Sequence, residues 1–288
     1  MPVFVRQRKH ATWQGSFLTI AASLTLATTL TGCASSKLET AGSLSNYGNL
    51  TTANSRVTQS QQRIDKADVL AAKTIVIVPT KFSASVVDAN LNEKQRGLIA
   101  NAIDRSICLG LSDRFKIVGA DQPADLKVHA TITHITTTNR YAAGASQALS
   151  SVLLVSPRIP VGMGNLSIEA EARDGHGVQK AAMVWARGAS ALSTARVSTA
   201  GDAYDLASAF GGDFSKLLVT GENPIDDKMS IPSLSEKPKS AACDVYGHAG
   251  VTSRVGGMLG APPEWLDKGA ADGTDQGKAT ASPDENPK

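Results

Sequence analysis

Leu166-Ser167-Ile168-Glu169-Ala170-Glu171-Ala172-Arg173, then Asp174-Gly175-His176-Gly177 and a second run from Val178 to Gly188, is the stretch that decides the fold. Leu166, Ile168, Ala170 and Ala172 alternate with Ser167, Glu169, Glu171 and Arg173, the period of a strand with one dry face and one wet face. Gly175 at the first central position suits a two-residue type II′ turn. That turn sets Ala170 opposite Ala181, Ile168 opposite Met183 and Leu166 opposite Trp185 on the dry face. On the wet face it sets Glu171 opposite Lys180. A slip of one residue would spoil both matches. The stretch therefore predicts an antiparallel hairpin whose wet face is open.

Upstream, Leu126, Val128, Ala130 and Ile132 alternate with Lys127, His129, Thr131 and Thr133, which predicts another strand of the same kind. Thr74-Ile75-Val76-Ile77-Val78-Pro79 is apolar at both parities and reads as a central strand buried on both faces. Phe115 to Val118 adds a short one. Two helical stripes go with these strands. Leu98, Ile99, Ala102, Ile103 and Ile107 line a helix over Leu91 to Asp113, capped by Asn90 and Glu93. Ala203, Leu206, Ala207, Phe210, Phe214 and Leu217 line another from Asp202 to Val219. In the second, Gly211-Gly212 costs about 1 kcal/mol per glycine relative to Ala, which marks close packing or a kink. Residues 141–165 mix small residues, an apolar Val152 to Val155 and the breakers Pro157 and Pro160, so the expectation is an excursion, part helix and part extended. The simplest arrangement that buries both stripes is α+β: a single mixed, mainly antiparallel sheet with two helices packed on one face, a two-layer sandwich over residues 73–222.

The chain opens with Arg6, Arg8 and Lys9, runs uncharged from Ser16 to Leu30, and closes the segment with Leu30-Thr31-Gly32-Cys33. This is the order of a secretory signal, and its apolar run is short of the about 20 residues that a membrane span needs. The last four residues resemble the bacterial lipobox, in which the cysteine is lipidated and the chain is cut just before it. Residues 1–32 are therefore expected to be a lipoprotein signal peptide and Cys33 the lipidation site. The signal carries three of the 29 basic residues and none of the 26 acidic ones, so the formal charge of +3 leaves with it. The mature chain is neutral, and its charge gives no argument for nucleic acid. Residues 33–72 are rich in Ser, Thr, Asn and Gln and predict a polar tether, roughly 130 Å at full extension. Residues 223–266 predict an irregular extension packed on the domain, and 267–288 a disordered tail.

Val184-Trp185-Ala186-Arg187-Gly188, Gly201-Asp202-Ala203-Tyr204-Asp205-Leu206-Ala207 and Pro262-Pro263-Glu264-Trp265-Leu266-Asp267-Lys268-Gly269 resemble the DUF3313 family of bacterial lipoproteins, a domain of unknown function. The likeness runs from about Thr40 to Gly269 and includes the lipobox. It implies an outer-membrane-type lipoprotein and no assigned activity. Ala34 follows the lipidated cysteine; in lipoproteins of the enterobacterial type an aspartate there retains the protein in the inner membrane, so its absence favours the outer membrane.

Site candidates are few. Cys108 and Cys243 remain after lipidation, and an exported chain sits where disulfides persist, so a Cys108–Cys243 bridge clamping the C-terminal extension to the first helix is expected. Lys127, Thr131, Thr133, Glu169 and Glu171 share the wet face and form a candidate surface for an envelope protein partner. Trp265 reads as a C-terminal latch on the domain or an exposed anchor. His129 and His134, five apart on one strand, point to opposite faces unless a bulge intervenes, so no metal site is expected. No catalytic set and no cofactor is expected. The leading reading is a non-enzymatic outer-membrane lipoprotein, held to the membrane by its lipid and facing the periplasm. The alternative is a lipoprotein that binds a small apolar or lipid ligand through the 149–164 loop.

Overall fold

Alternation along the chain builds a single sheet, seen here in a computed structural model that describes residues 36–86, 90–153, 158, 160–225, 241–247 and 251–267. Its strands are β1 (Thr51–Thr52), β2 (Thr58–Ile64), β3 (Thr74–Ile77), β4 (Lys81–Phe82), β5 (Lys116–Ile117), β6 (Leu126–Thr136), β7 (Asn165–Asp174) and β8 (Gln179–Gly188). The helices are α1 (Lys66–Ala71), α2 (Glu93–Leu111), α3 (Arg140–Leu153), α4 (Gly201–Thr220), α5 (Val251–Met258) and α6 (Pro263–Leu266), with a 3-10 helix at Ala241–Tyr246. The sheet order is β1-β2-β8-β7-β6-β3-β5, with β4 beside β6. The β2, β8, β7 and β6 ladder is antiparallel, and β3 runs parallel to both β5 and β6. The fold is α+β on a mixed, mainly antiparallel sheet, as expected, although it has more strands and helices than the sequence suggests.

The dry face holds the main core. Leu166, Ile168, Ala170, Met183 and Trp185 are buried on it under α2 and α4. Trp185 meets Phe210 edge-on at 5.5 Å between centroids, Phe210 stacks on Phe214 at 5.9 Å, and the indole N–H donates to Asp213 Oδ2 at 2.9 Å. The two helices cross closely. A Cβ on Gly211 would stand 2.4 Å from Ser106 Cβ, and one on Gly110 would stand 2.0 Å from Ser215 Oγ. Gly212 faces open space. The Gly-Gly pair therefore marks close packing, and only its first member makes the approach.

Four expectations are corrected. The hairpin register is shifted by two residues: Ala170 pairs with Met183, Ile168 with Trp185, Leu166 with Arg187, and Glu171 with Ala182. Asp174 is the cause. Its carboxylate accepts from the amides of His176 and Val178, its carbonyl accepts from Gly177 N, and Gly177 takes φ +81°. This is a three-residue loop closed by a left-handed glycine, not a two-residue turn. An irregularity next to Arg173 completes the shift. A shift of two leaves every side chain on its expected face. At the start of α2, Asn92 is the cap, forming a capping box with Gln95 in place of the Asn90–Glu93 pair.

A bulge between Ile132 and His134 turns His134 to the side of Ser167, so that both histidines share the wet face. Residues 36–72 are not a tether. They hold β1, β2 and α1, and β2 pairs with β8 along its whole length. The composition misleads because Thr58, Ser60 and Gln62 are polar yet buried.

The helix crossing gives a paired test. Gly211→Ala should destabilise the protein by about 1–3 kcal/mol through overpacking. Gly212→Ala should stabilise it by about 0.5–1 kcal/mol. Thermal melts of the two variants against the parent measure both; equal shifts would contradict the packing described.

Candidate functional site

The wet face of β6, β7 and β8 is covered by residues 37–50. Lys37 and Glu39 present their carbonyls to Ser167 Oγ (3.3 Å) and Thr133 Oγ1 (2.7 Å). Glu169 then accepts from Ala41 N (3.4 Å), Ser43 N (3.0 Å), Ser43 Oγ (2.5 Å) and the Tyr47 hydroxyl (2.7 Å). Glu171 accepts from Ser45 N (2.9 Å), Ser45 Oγ (2.6 Å) and Gln179 Nε2 (2.6 Å), and it is ion-paired to Arg173. Leu44 is buried against Ala182 and Val184, with Leu38 and Leu50 beside it. This is a second, smaller core on the side expected to be wet.

The electrostatics follow from this cover. Burial works against charge on Glu171, but hydrogen bonds from Arg173, Ser45 and Gln179 outweigh it and hold its pKa below the ordinary carboxylate value. Burial, with Glu169 adding to it, pushes the Tyr47 hydroxyl up to about 12. Both carboxylates are occupied by donors from their own chain, and what they do chemically is hold a strap. The cross-strand pair expected between Glu171 and Lys180 is replaced: Lys180 sits between Asp68 and Asp174.

The expected partner surface is thus broken up. Glu169, Glu171 and Thr133 are buried under residues 36–50, Thr131 is half-buried, and Lys127 alone of the five is exposed. His129 is half-buried, and its pKa is lowered by burial and by Arg173. Among the described residues no group of three or more His, Cys, Asp or Glu could hold a metal ion. The sequence does carry a signal for the cover. Ala181 to Ala186 is apolar at both parities, the mark of a strand buried on both faces.

The other flank of α2 is closed by the C-terminal extension. Cys108 and Cys243 form a disulfide, with 5.7 Å between Cα atoms and 135 residues between them. Bridges of this kind contribute about 2–4 kcal/mol. Beside it the Arg105 guanidinium donates to Asp267 Oδ2 (2.7 Å), the Tyr204 hydroxyl oxygen (2.9 Å) and the Tyr246 carbonyl (3.2 Å). Asp267 is buried, so it belongs to the folded body and not to a disordered tail; residues 268–288 lie outside the described residues. Trp265 is not the latch. It is 80% exposed, while Glu264 accepts from Gln95 and Ser198, and Asp267 takes the arginine.

Deeper in the fold, the Asp104 carboxylate accepts from Thr80 N (3.0 Å) and Thr80 Oγ1 (2.5 Å). Burial raises its pKa to about 7 against those bonds. Arg158 and Asp202 make a buried two-pronged pair at 2.5 and 2.6 Å. Among the described residues, an open cleft of about 410 Å³ lies at the hairpin end, lined by Asp68, Lys73, Asp125, Asp174 and Lys180. It is polar, unlike the apolar pocket considered for residues 149–164. Residues 154–157 and 159 of that loop, the signal peptide and Cys33 lie outside the described residues. No helix among the described residues is long and apolar enough to cross a membrane.

Residues 39–214 match the model of a family described as a protein of unknown function, DUF3313. No curated protein matches the chain. Among solved structures, the PelC dodecamer from Paraburkholderia phytofirmans, in two crystal forms of which one is a point variant, is similar at 11% identity and a TM-score of 0.30. It covers 54% of this chain and 95% of its own.

Asp104 gives a pH test. Its folded pKa lies above the unfolded value of 3.8, so its contribution is intact below about pH 4 and is lost as the pH rises to about 7. The loss is of the order of 4 kcal/mol. Denaturant melts across that range should show Asp104→Asn with a flatter profile than the parent. A variant profile that falls as steeply as the parent's would contradict the assignment.

Proposed function

The chain belongs to the DUF3313 family, whose members are described as proteins of unknown function, and from that premise we propose that it is a lipid-anchored protein of the bacterial envelope. Cys33 carries the lipid, the outer membrane holds it, and the domain faces the periplasm. Its work is structural: it presents a rigid body to an envelope protein partner, without catalysing a reaction. Charge gives no reason to invoke nucleic acid, because the mature chain is neutral.

One observation carries this reading. Ser36, three residues after the lipobox cysteine, is buried, and the residues that follow are bonded to Glu169 and Glu171. A lipid on Cys33 would then be held within about 11 Å of folded protein, the reach of three extended residues. A short, strapped connection suits a body that is to be fixed at the membrane surface. A long loose tether would suit one that must search for its target. The disulfide supports an oxidising compartment.

The test is acylation. Cells expressing the full chain and fed an alkyne-tagged palmitate should yield labelled protein in the outer-membrane fraction. Cys33→Ser should abolish the label and release at least most of the protein from that fraction. An unlabelled parent protein in the soluble periplasm would overturn the reading.

A further inference from the structure

The docked N-terminal strap has a direction. Lys37 and Glu39 bond near Ser167 and Thr133, and the strap then runs to Glu169 and Glu171, toward the hairpin loop. It therefore enters at the end of the sheet where Thr136, Asn165 and Gly188 stand side by side. Three other parts of the chain gather at that end. β6 leads into α3, β8 leads through residues 189–200 into α4, and α5 with α6 packs on that connection. Gln147 Nε2 donates to the Ala195 carbonyl (2.6 Å), Val197 N to the Gly260 carbonyl (3.1 Å), and Ser198 Oγ to Glu264 (2.6 Å).

These parts carry the most exposed of the large apolar side chains; Val178, Val57 and Leu70, elsewhere on the body, are less exposed. Leu192 is 82% exposed, Trp265 80%, Tyr141 76%, Leu259 73% and Met258 56%. The opposite end, by the hairpin loop and α1, presents Asp68, Lys73, Asp125, Asp174 and Lys180. The strap-entry end is thus the richer in exposed apolar side chains, with Arg140 and Lys37 as basic neighbours, and the other end is lined mainly by charge. Burying large apolar side chains is favourable on balance, so several left exposed at one end mark a surface that meets something else.

We propose that the strap-entry end is a bilayer-docking surface, with Trp265, Tyr141, Leu259 and Leu192 seated in the interfacial layer of the leaflet that holds the lipid on Cys33. The proposal rests on the anchoring reading for its orientation. Chain length supplies the argument: three residues separate Cys33 from Ser36 and reach at most about 11 Å, so a lipid on Cys33 would bring its leaflet to this end of the body. Tryptophan and tyrosine are the residues that favour the membrane–water interface, and aliphatic neighbours complete an apolar face of the kind that lies in it. The docked strap and the docked end together fix the body's tilt, with the charged end held away from the membrane.

Tryptophan fluorescence reads this directly. Of the three tryptophans, Trp13 is in the signal, Trp185 is fully buried and Trp265 is exposed, so a spectral change in the mature protein belongs to Trp265. The purified acylated protein is reconstituted into vesicles of phosphatidylethanolamine and phosphatidylglycerol that contain lipids brominated on the acyl chain. Emission should shift to the blue and be quenched, and Trp265→Phe should remove both effects. With the Cys33→Ser chain made from residue 33 onward, so that Trp13 is absent, the same quenching should appear at high vesicle concentration, and the pair Leu259→Ser and Trp265→Ser should lower partitioning at least about tenfold. Acylated protein that floats with vesicles while Trp265 stays unquenched would overturn the docking surface and leave anchoring intact. Missing acylation with quenching preserved on the Cys33→Ser chain would instead overturn the anchoring reading alone. A blue shift that grows with protein concentration without vesicles, together with a dimer in sedimentation, would assign the face to a second copy and overturn the proposal.

Discussion

Two carboxylates that sit inside the protein set the terms for everything else. Glu169 and Glu171 project from the middle strand of the sheet, on the face away from α2 and α4, and both are buried. An ionised carboxylate taken out of water is costly unless hydrogen-bond donors replace the water. Here the donors come from residues 41–47, from Arg173 and from Gln179. The strap must therefore be in place for the sheet to exist in this form. The strap in turn depends on the sheet, since a segment of mostly small and polar residues has little apolar surface of its own beyond Leu38, Leu44, Leu50 and the Tyr47 ring.

The helical side repeats the logic with different chemistry. The helix α2 has a polar flank that carries Asp104, Arg105 and Cys108, and each of the three is buried by a partner far along the chain. Thr80 takes the aspartate, Asp267 and Tyr204 take the arginine, and Cys243 takes the thiol. The first and the last of the described residues are thus stitched to one central body. That arrangement leaves the apolar side chains of α3, α5 and α6 and of residues 189–197 uncovered at one end. It gives the molecule a polarity that its small net charge conceals.

Much of the inner architecture is legible in the sequence because period alone encodes it. The alternation at 126–133 and 166–172, the apolar run at 74–79 and the stripes of α2 and α4 all fall where they are read, and faces are kept even where the hairpin register moves by two. The register itself was not legible, because it turns on whether Asp174 captures two backbone amides, a choice between loop types of nearly equal local preference. The strap was missed for a different reason. Ser43 and Ser45 are held, and Thr58 and Gln62 buried, by hydrogen bonds to acceptors more than a hundred residues away or by strand pairing, and no local pattern reports either. The both-faces apolar run of β8 was the available hint. Trp265 shows the converse: an isolated aromatic near the end of the ordered chain suggests packing, yet Asp267 two residues later does the docking.

Hydrogen exchange at the amides of Ala41, Ser43 and Ser45 tests the central claim most directly. These three amides donate to Glu169 and Glu171, not to any secondary-structure ladder, so protection there can come only from the strap being seated. In the mature protein at neutral pH they should exchange at least about a hundredfold more slowly than in a free chain, which corresponds to an opening free energy of about 2.7 kcal/mol. Exchange at free-chain rates, with β6, β7 and β8 fully protected, would mean that residues 36–50 are a loose tether after all.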